Sequence, residues 1–247
     1  MDIATHLDAL QADGALLAEA AAKAGLDAQV PTCPDWQVRD LVQHVGQVHR
    51  WAHSYVSTGR TTPPDENDSL ATPPDDDELL EWFRDGHQTL LSALRDAPDD
   101  LHSWAFLPAP SPRAFWARRQ AHETAIHRAD AQLAAGMQPD YDDAFAADGV
   151  DELLLGFFAR PRGRLLSAEP ARLGLRTSDN GAAWTITIGP DSRHAVREAL
   201  DADCTVTGRA ADIYLLLWNR RDGSACDIQG NAEILELWRE KAQITFR

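Results

Sequence analysis

The chain has 247 residues, with 23 basic against 39 acidic side chains and a formal net charge of −16. That length suffices for one large domain or two small ones with a hydrophobic core. The charge argues against nonspecific binding to nucleic acid or to an anionic membrane, and no apolar run has the length of a membrane-spanning helix. The opening residues, Met1 to His6, have neither a basic n-region nor an apolar h-region, so no secretory signal is expected. Cys33, Cys204 and Cys226 lie far apart and lack CxxC spacing, which points to a reducing cytoplasm.

In chain order, residues 2–23 read as a helix rich in Ala and Leu that closes near Gly25. Thr32-Cys-Pro-Asp-Trp36 is a turn, and either Thr32 or Asp35 is suited to cap the helix after it. From 36 to about 57, Val38, Leu41, Val42, Val45, Val48, Ala52 and Val56 form a broad apolar stripe. A loop with two Pro-Pro pairs leads to a third helix over about 75–96, whose acidic start suits a solvated loop and helix cap. Ser111 and Pro112 mark the start of a fourth helix that runs to about residue 135. Four such helices predict a four-helix bundle over residues 1–137.

After Gly136 the pattern changes, and 138–150 reads as a linker. Residues 151–158 read as a short helix, followed by the breaker-rich Arg160-Pro-Arg-Gly163. Strands are expected at 171–177 and 183–188 around the hairpin signal Asp179-Asn-Gly181, and again at 203–207 and 226–228. Residues 210–218 and 232–241 read as helices, so 151–247 forms a smaller α/β domain and the whole chain is α+β.

The chemistry is concentrated in Ala121-His-Glu-Thr-Ala-Ile-His-Arg-Ala-Asp130. Residues four apart on a helix share a face, so Glu123 and His127 can grip one metal ion, with Asp130 on the same side. At 100° per residue these three fall within about 40° of Trp116, and Arg119 lies at the edge of that sector. Two ligands do not make a catalytic zinc site, and the alternative is a salt-bridge network on a wet face. The second helix offers His44 and His49 on opposite edges of its stripe, with His53 further round; periodicity does not choose between the first two. Either would complete a two-histidine, one-carboxylate set with an open coordination position. Trp36 and Trp116 read as core residues or as cavity walls.

Three segments carry a resemblance: Pro31-Thr-Cys-Pro-Asp-Trp36, Leu41-Val-Gln-His44-Val-Gly-Gln-Val-His-Arg-Trp51, and Trp116-Ala-Arg-Arg-Gln-Ala-His-Glu123-Thr-Ala-Ile-His127-Arg-Ala-Asp130. With these the chain resembles the mycothiol-dependent maleylpyruvate isomerase family, whose N-terminal part is similar to DinB-like metal-binding bundles. Val206-Thr-Gly-Arg-Ala-Ala-Asp-Ile-Tyr-Leu-Leu-Leu-Trp-Asn-Arg220 resembles the family's small C-terminal domain. The resemblance implies a divalent metal, usually zinc, on His44, Glu123 and His127, and so favours His44 over His49. It further implies mycothiol as cofactor or cosubstrate and a small electrophilic substrate. It also implies isomerase or S-transferase chemistry, with Asp130 and Arg220 taking part and Arg84 as a further contact to a substrate carboxylate. The alternative is a noncatalytic metal- or small-molecule-binding protein that has kept its ligands.

Overall fold

The carboxylate of Asp2 accepts the backbone N–H of Thr5 at 2.8 Å and so starts α1, which runs Ile3–Ala24 and stops at Gly25. The computed structural model describes residues 1–65, 70–160 and 163–244. The helices α2 (Val38–Thr58), α3 (Asp76–Asp96) and α4 (Pro112–Ala134) follow. Neither Thr32 nor Asp35 caps α2. The helix begins after Gln37, whose backbone N–H donates to the Asp40 carboxylate at 2.8 Å. Asp76, Asp77 and Glu78 fill the first turn of α3, where negative charge complements the helix dipole. Ser111 caps α4 as expected, its hydroxyl accepting from the Ala114 N–H at 3.1 Å.

The chain divides into two compact units, Met1–Pro139 and Asp140–Arg247. In the first, α1 packs chiefly along α4 and α2 along α3. Leu17, Leu41, Val42, Val45, Leu79 and Phe83 are fully buried in its core, and each such side chain contributes about 1.5–3 kcal/mol of burial free energy. α4 is enclosed on nearly every face, and the buried set includes Arg119, Gln120, Thr124, His127, Arg128 and Asp130. Polar groups removed from water need partners. Arg128 finds one in Asp13 of α1, with Nε 3.0 Å from Oδ1.

The second unit opens with α5 (Asp143–Asp151), which continues into a wider π-helical turn over Glu152–Phe157. This helix starts well before 151 and occupies much of the segment read as a linker. Asp142 caps it by accepting from Ala144 and Phe145, and Phe145, Ala146 and Val150 are buried. Of the breaker segment after it, residues 161 and 162 lie outside the described residues.

β1 (Ala171–Thr177) and β2 (Ala183–Ile188) form the expected antiparallel hairpin, with Leu175 opposite Trp184. Three further strands, β3 (Arg193–Val196), β4 (Cys204–Gly208) and β5 (Asp227–Gly230), complete a sheet of order β3-β2-β1-β4-β5. β4 runs parallel to β1, and the other pairings are antiparallel. β3 has no counterpart in the sequence reading: it is a four-residue edge strand without apolar alternation. α6 (Ala210–Leu217) packs on β4 and β1, and α7 (Glu233–Lys241) packs on β1. The chain is thus α+β, with four helices followed by a small sheet unit. No described helix is long and apolar enough to cross a membrane.

Two glycines separate conformational strain from collision. Gly181 (φ +74°) faces open space, whereas a Cβ on Gly230 (φ +89°) would sit 2.1 Å from the Asp203 carbonyl oxygen. Gly181→Ala should therefore cost about 1–2 kcal/mol, the usual penalty of a left-handed residue. Gly230→Ala should cost about 1–3 kcal/mol more, because backbone must move. Urea unfolding of both variants checks this, and equal costs would contradict it.

Candidate metal centre

Two turns of α4 set Glu123 and His127 one above the other, and α2 brings His44 to the same point. His44 Nε2 and His127 Nε2 each lie 3.5 Å from Glu123 Oε1. One ligand atom from each of the three residues falls within 4.8 Å of the others. The 3.5 Å contacts are longer than an ordinary N–H···O hydrogen bond. They match the edge of a tetrahedron around an ion with bonds near 2.1 Å, which is about 3.4 Å. Two imidazole nitrogens and one carboxylate oxygen, converging at that spacing, fit a divalent ion with one position left open.

Further contacts hold these groups in place. His127 Nδ1 lies 2.9 Å from Asp130 Oδ2, and the Thr32 hydroxyl donates to Asp130 Oδ1 at 2.5 Å. Arg119 Nη2 lies 3.1 Å from Glu123 Oε2, so the second carboxylate oxygen is engaged and Oε1 faces the histidines. Trp36 lies against both imidazoles, with ring centroids 5.0 Å from His44 and 6.2 Å from His127.

Charge follows from these neighbours. Burial opposes ionisation of Glu123, but polar contacts with His127 and His44 and the charge of Arg119 outweigh it and hold the carboxyl well below the usual range. Burial likewise opposes a charged His127, yet Asp130 and Glu123 raise its pKa to about 9. Without a metal, the cluster is a carboxylate–imidazolium pair.

The segments that build this arrangement match known domains. Residues 7–132 match the mycothiol maleylpyruvate isomerase N-terminal domain, and 144–236 match the C-terminal domain of the same family. The chain belongs to the mycothiol-dependent maleylpyruvate isomerase family. It is therefore a member of a family of enzymes. Two solved structures of mycothiol-dependent maleylpyruvate isomerase, one of them a histidine-to-alanine mutant, share its fold. Both are 14% identical over 93% of each chain, with TM-scores of 0.64 for the mutant and 0.63 for the other. No curated protein matches the chain in sequence.

Within this family member, the residues singled out from sequence fall in different places. His44, Glu123, His127 and Asp130 come together. His49 turns into the bundle core, fully buried, with Nε2 2.9 Å from the Thr124 hydroxyl and its ring beside Phe83 and His87. Trp116 is also core, its indole N–H donating to Ser103 at 3.1 Å. Arg84 is half-exposed on α3, with Nη1 3.7 Å from Glu81. Arg220 lies in the second unit just beyond α6, where Nη1 donates to the Trp218 carbonyl at 2.7 Å. The sequence offers Thr32 as a helix cap and as part of the Pro31–Trp36 segment but gives it no place in the site, because its contact with Asp130 spans 98 positions, beyond any local signal.

The raised pKa of His127 has a definite sign. In metal-free protein it stabilises the fold fully below about 6.5, and the contribution is lost as pH rises through about 9. A metal ligand must be a neutral imidazole, so ion binding displaces this proton. Titration of the metal-free protein with zinc at pH 7.5, in buffers of different ionisation enthalpy, should show about one proton released per ion. Zinc binding without proton release would contradict the assignment.

Proposed function

We propose that this enzyme is a divalent-metal- and mycothiol-dependent isomerase or S-transferase that acts on a small electrophile of the maleylpyruvate type, with zinc as the metal and the cytoplasm as its location. The observation that carries the reading is the equal 3.5 Å spacing of His44 and His127 about one oxygen of Glu123, in a chain that belongs to this family.

His44, Glu123 and His127 would hold the ion. Bound there, a divalent ion supplies positive charge that lowers the pKa of a thiol or polarises a carbonyl. Asp130 retains the Nδ1 proton of His127 and so keeps Nε2 unprotonated toward the site. Arg119 occupies Glu123 Oε2 and limits the carboxylate to one oxygen. Trp36 packs beside both imidazoles and limits their contact with water. Arg220 is proposed as the guanidinium that binds a carboxylate of the substrate or the polar groups of the thiol cosubstrate.

In the proposed reaction, the thiolate sulfur of mycothiol forms a bond to one carbon of an activated double bond. The π electrons move to the conjugated carbonyl oxygen, leaving a single bond free to rotate. Collapse of this enolate restores the double bond in the trans form and expels the thiolate, so nothing is consumed. Protonation of the enolate instead keeps the thioether and gives S-transfer. One site thus serves both outcomes.

His44→Ala and His127→Ala should each lose bound zinc and at least about 100-fold of thiol-dependent turnover. His49→Ala should lose stability but keep its zinc. Metal analysis and turnover with maleylpyruvate and mycothiol, measured side by side on all three variants, test this. Zinc retained by His44→Ala would overturn the site, and zinc-loaded wild type that binds thiol but turns over no electrophile would favour a binding role.

A further inference from the structure

The segment between α1 and α2 is tightly folded. Val30 N–H donates to the Trp36 carbonyl at 2.9 Å, Trp36 N–H to Cys33 at 2.8 Å, and Cys33 N–H to Val30 at 3.1 Å. These bonds define the shape of a seven-residue loop, Val30 to Trp36, that meets His127 in two ways. Trp36 lies nearly parallel to the imidazole, at an interplanar angle of 22°. Thr32 reaches it indirectly, through the 2.5 Å bond to Asp130.

Asp130 is fully buried on α4, and its two oxygens have different partners. Oδ2 faces His127 Nδ1 at 2.9 Å, while Oδ1 accepts from Thr32. A buried carboxylate can rotate about its terminal torsion, and such sp³–sp² torsions have broad minima. A donor on one oxygen restricts that rotation and fixes where the other points. The Thr32 hydroxyl is half-buried and comes from a loop with its own internal bonds, so it supplies a fixed anchor.

We infer that Thr32 is a positioning residue: by holding Asp130 Oδ1 it sets the Nδ1–H tautomer and ring orientation of His127, and so aims Nε2 at the ion. This deepens the metal-dependent reading and rests on it. Outer contacts of this kind typically change metal affinity by about 10–100-fold. Thr32→Val keeps the shape of the side chain and removes only the donor; Thr32→Ser keeps the donor and loses a methyl group.

The test compares zinc affinity, by competition with a chromophoric chelator, in wild type, Thr32→Val, Thr32→Ser, Asp130→Asn and the Thr32→Val/Asp130→Asn double variant. Thr32→Val should weaken zinc binding about 10-fold or more, while Thr32→Ser stays within about 3-fold of wild type. The double variant should be no weaker than Asp130→Asn alone, because Thr32 acts through that carboxylate. Nitrogen NMR of the metal-free proteins provides an arm that needs no metal: the slowly exchanging Nδ1–H of His127 should persist in wild type and Thr32→Ser and broaden in Thr32→Val. Unchanged zinc affinity in Thr32→Val, or additive losses in the double variant, would overturn the role of Thr32. A wild type that binds no zinc but shows the NMR pattern would instead overturn the metal reading and leave Thr32 holding His127.

Discussion

The N-terminal unit is organised around the cost of keeping a carboxylate out of water. An unpaired buried charge is destabilising by several kcal/mol, and α4 carries Glu123 and Asp130 where solvent has little access. Each carboxylate is met from more than one direction. His44 comes from α2, His127 and Arg119 from turns of α4 itself, and Thr32 from the loop before α2. These partners tie the elements together, so the same contacts that make burial tolerable also set the geometry of the site.

The apolar framework holds this polar seam in register. A one-turn slip of α2 along its neighbours would carry His44 about 5.4 Å away, farther than the 4.8 Å within which the ligand atoms all lie. Buried Leu41, Val42 and Val45 flank His44 in the same helix and resist such a slip. The ligand is exact in position because the stripe that contains it is well packed.

Much of this was legible in the sequence because its signals are local. Ser111-Pro112 marks the start of α4, the spacing of Glu123 and His127 puts them on one face, and Asp179-Asn-Gly181 marks the hairpin. Other features depend on contacts that no window contains. Periodicity could not choose between His44 and His49; the packing of α2 against α3 and α4 sends His49 to Thr124 and His87 and leaves His44 beside Glu123. Thr32 has good capping chemistry, yet Gln37 begins the helix and the threonine serves a residue 98 positions away. β3 carries no sequence signal of its own because a short edge strand takes its structure from its partner, here β2.

Arg119 has a consequence for which molecules suit the open position. Its guanidinium is nearly inaccessible to solvent and beside Glu123, so its charge is poorly screened. Counted formally, Arg119 cancels one of the two carboxylates, Glu123 and Asp130, and on the proposed reading a divalent ion with neutral histidines would leave one positive charge in excess. A neutral molecule beside such an ion would leave that excess buried. A monoanion would remove it, so under the proposed metal-dependent reading the site would select by valence, favouring a thiolate over its parent thiol before any part of either molecule's shape is read.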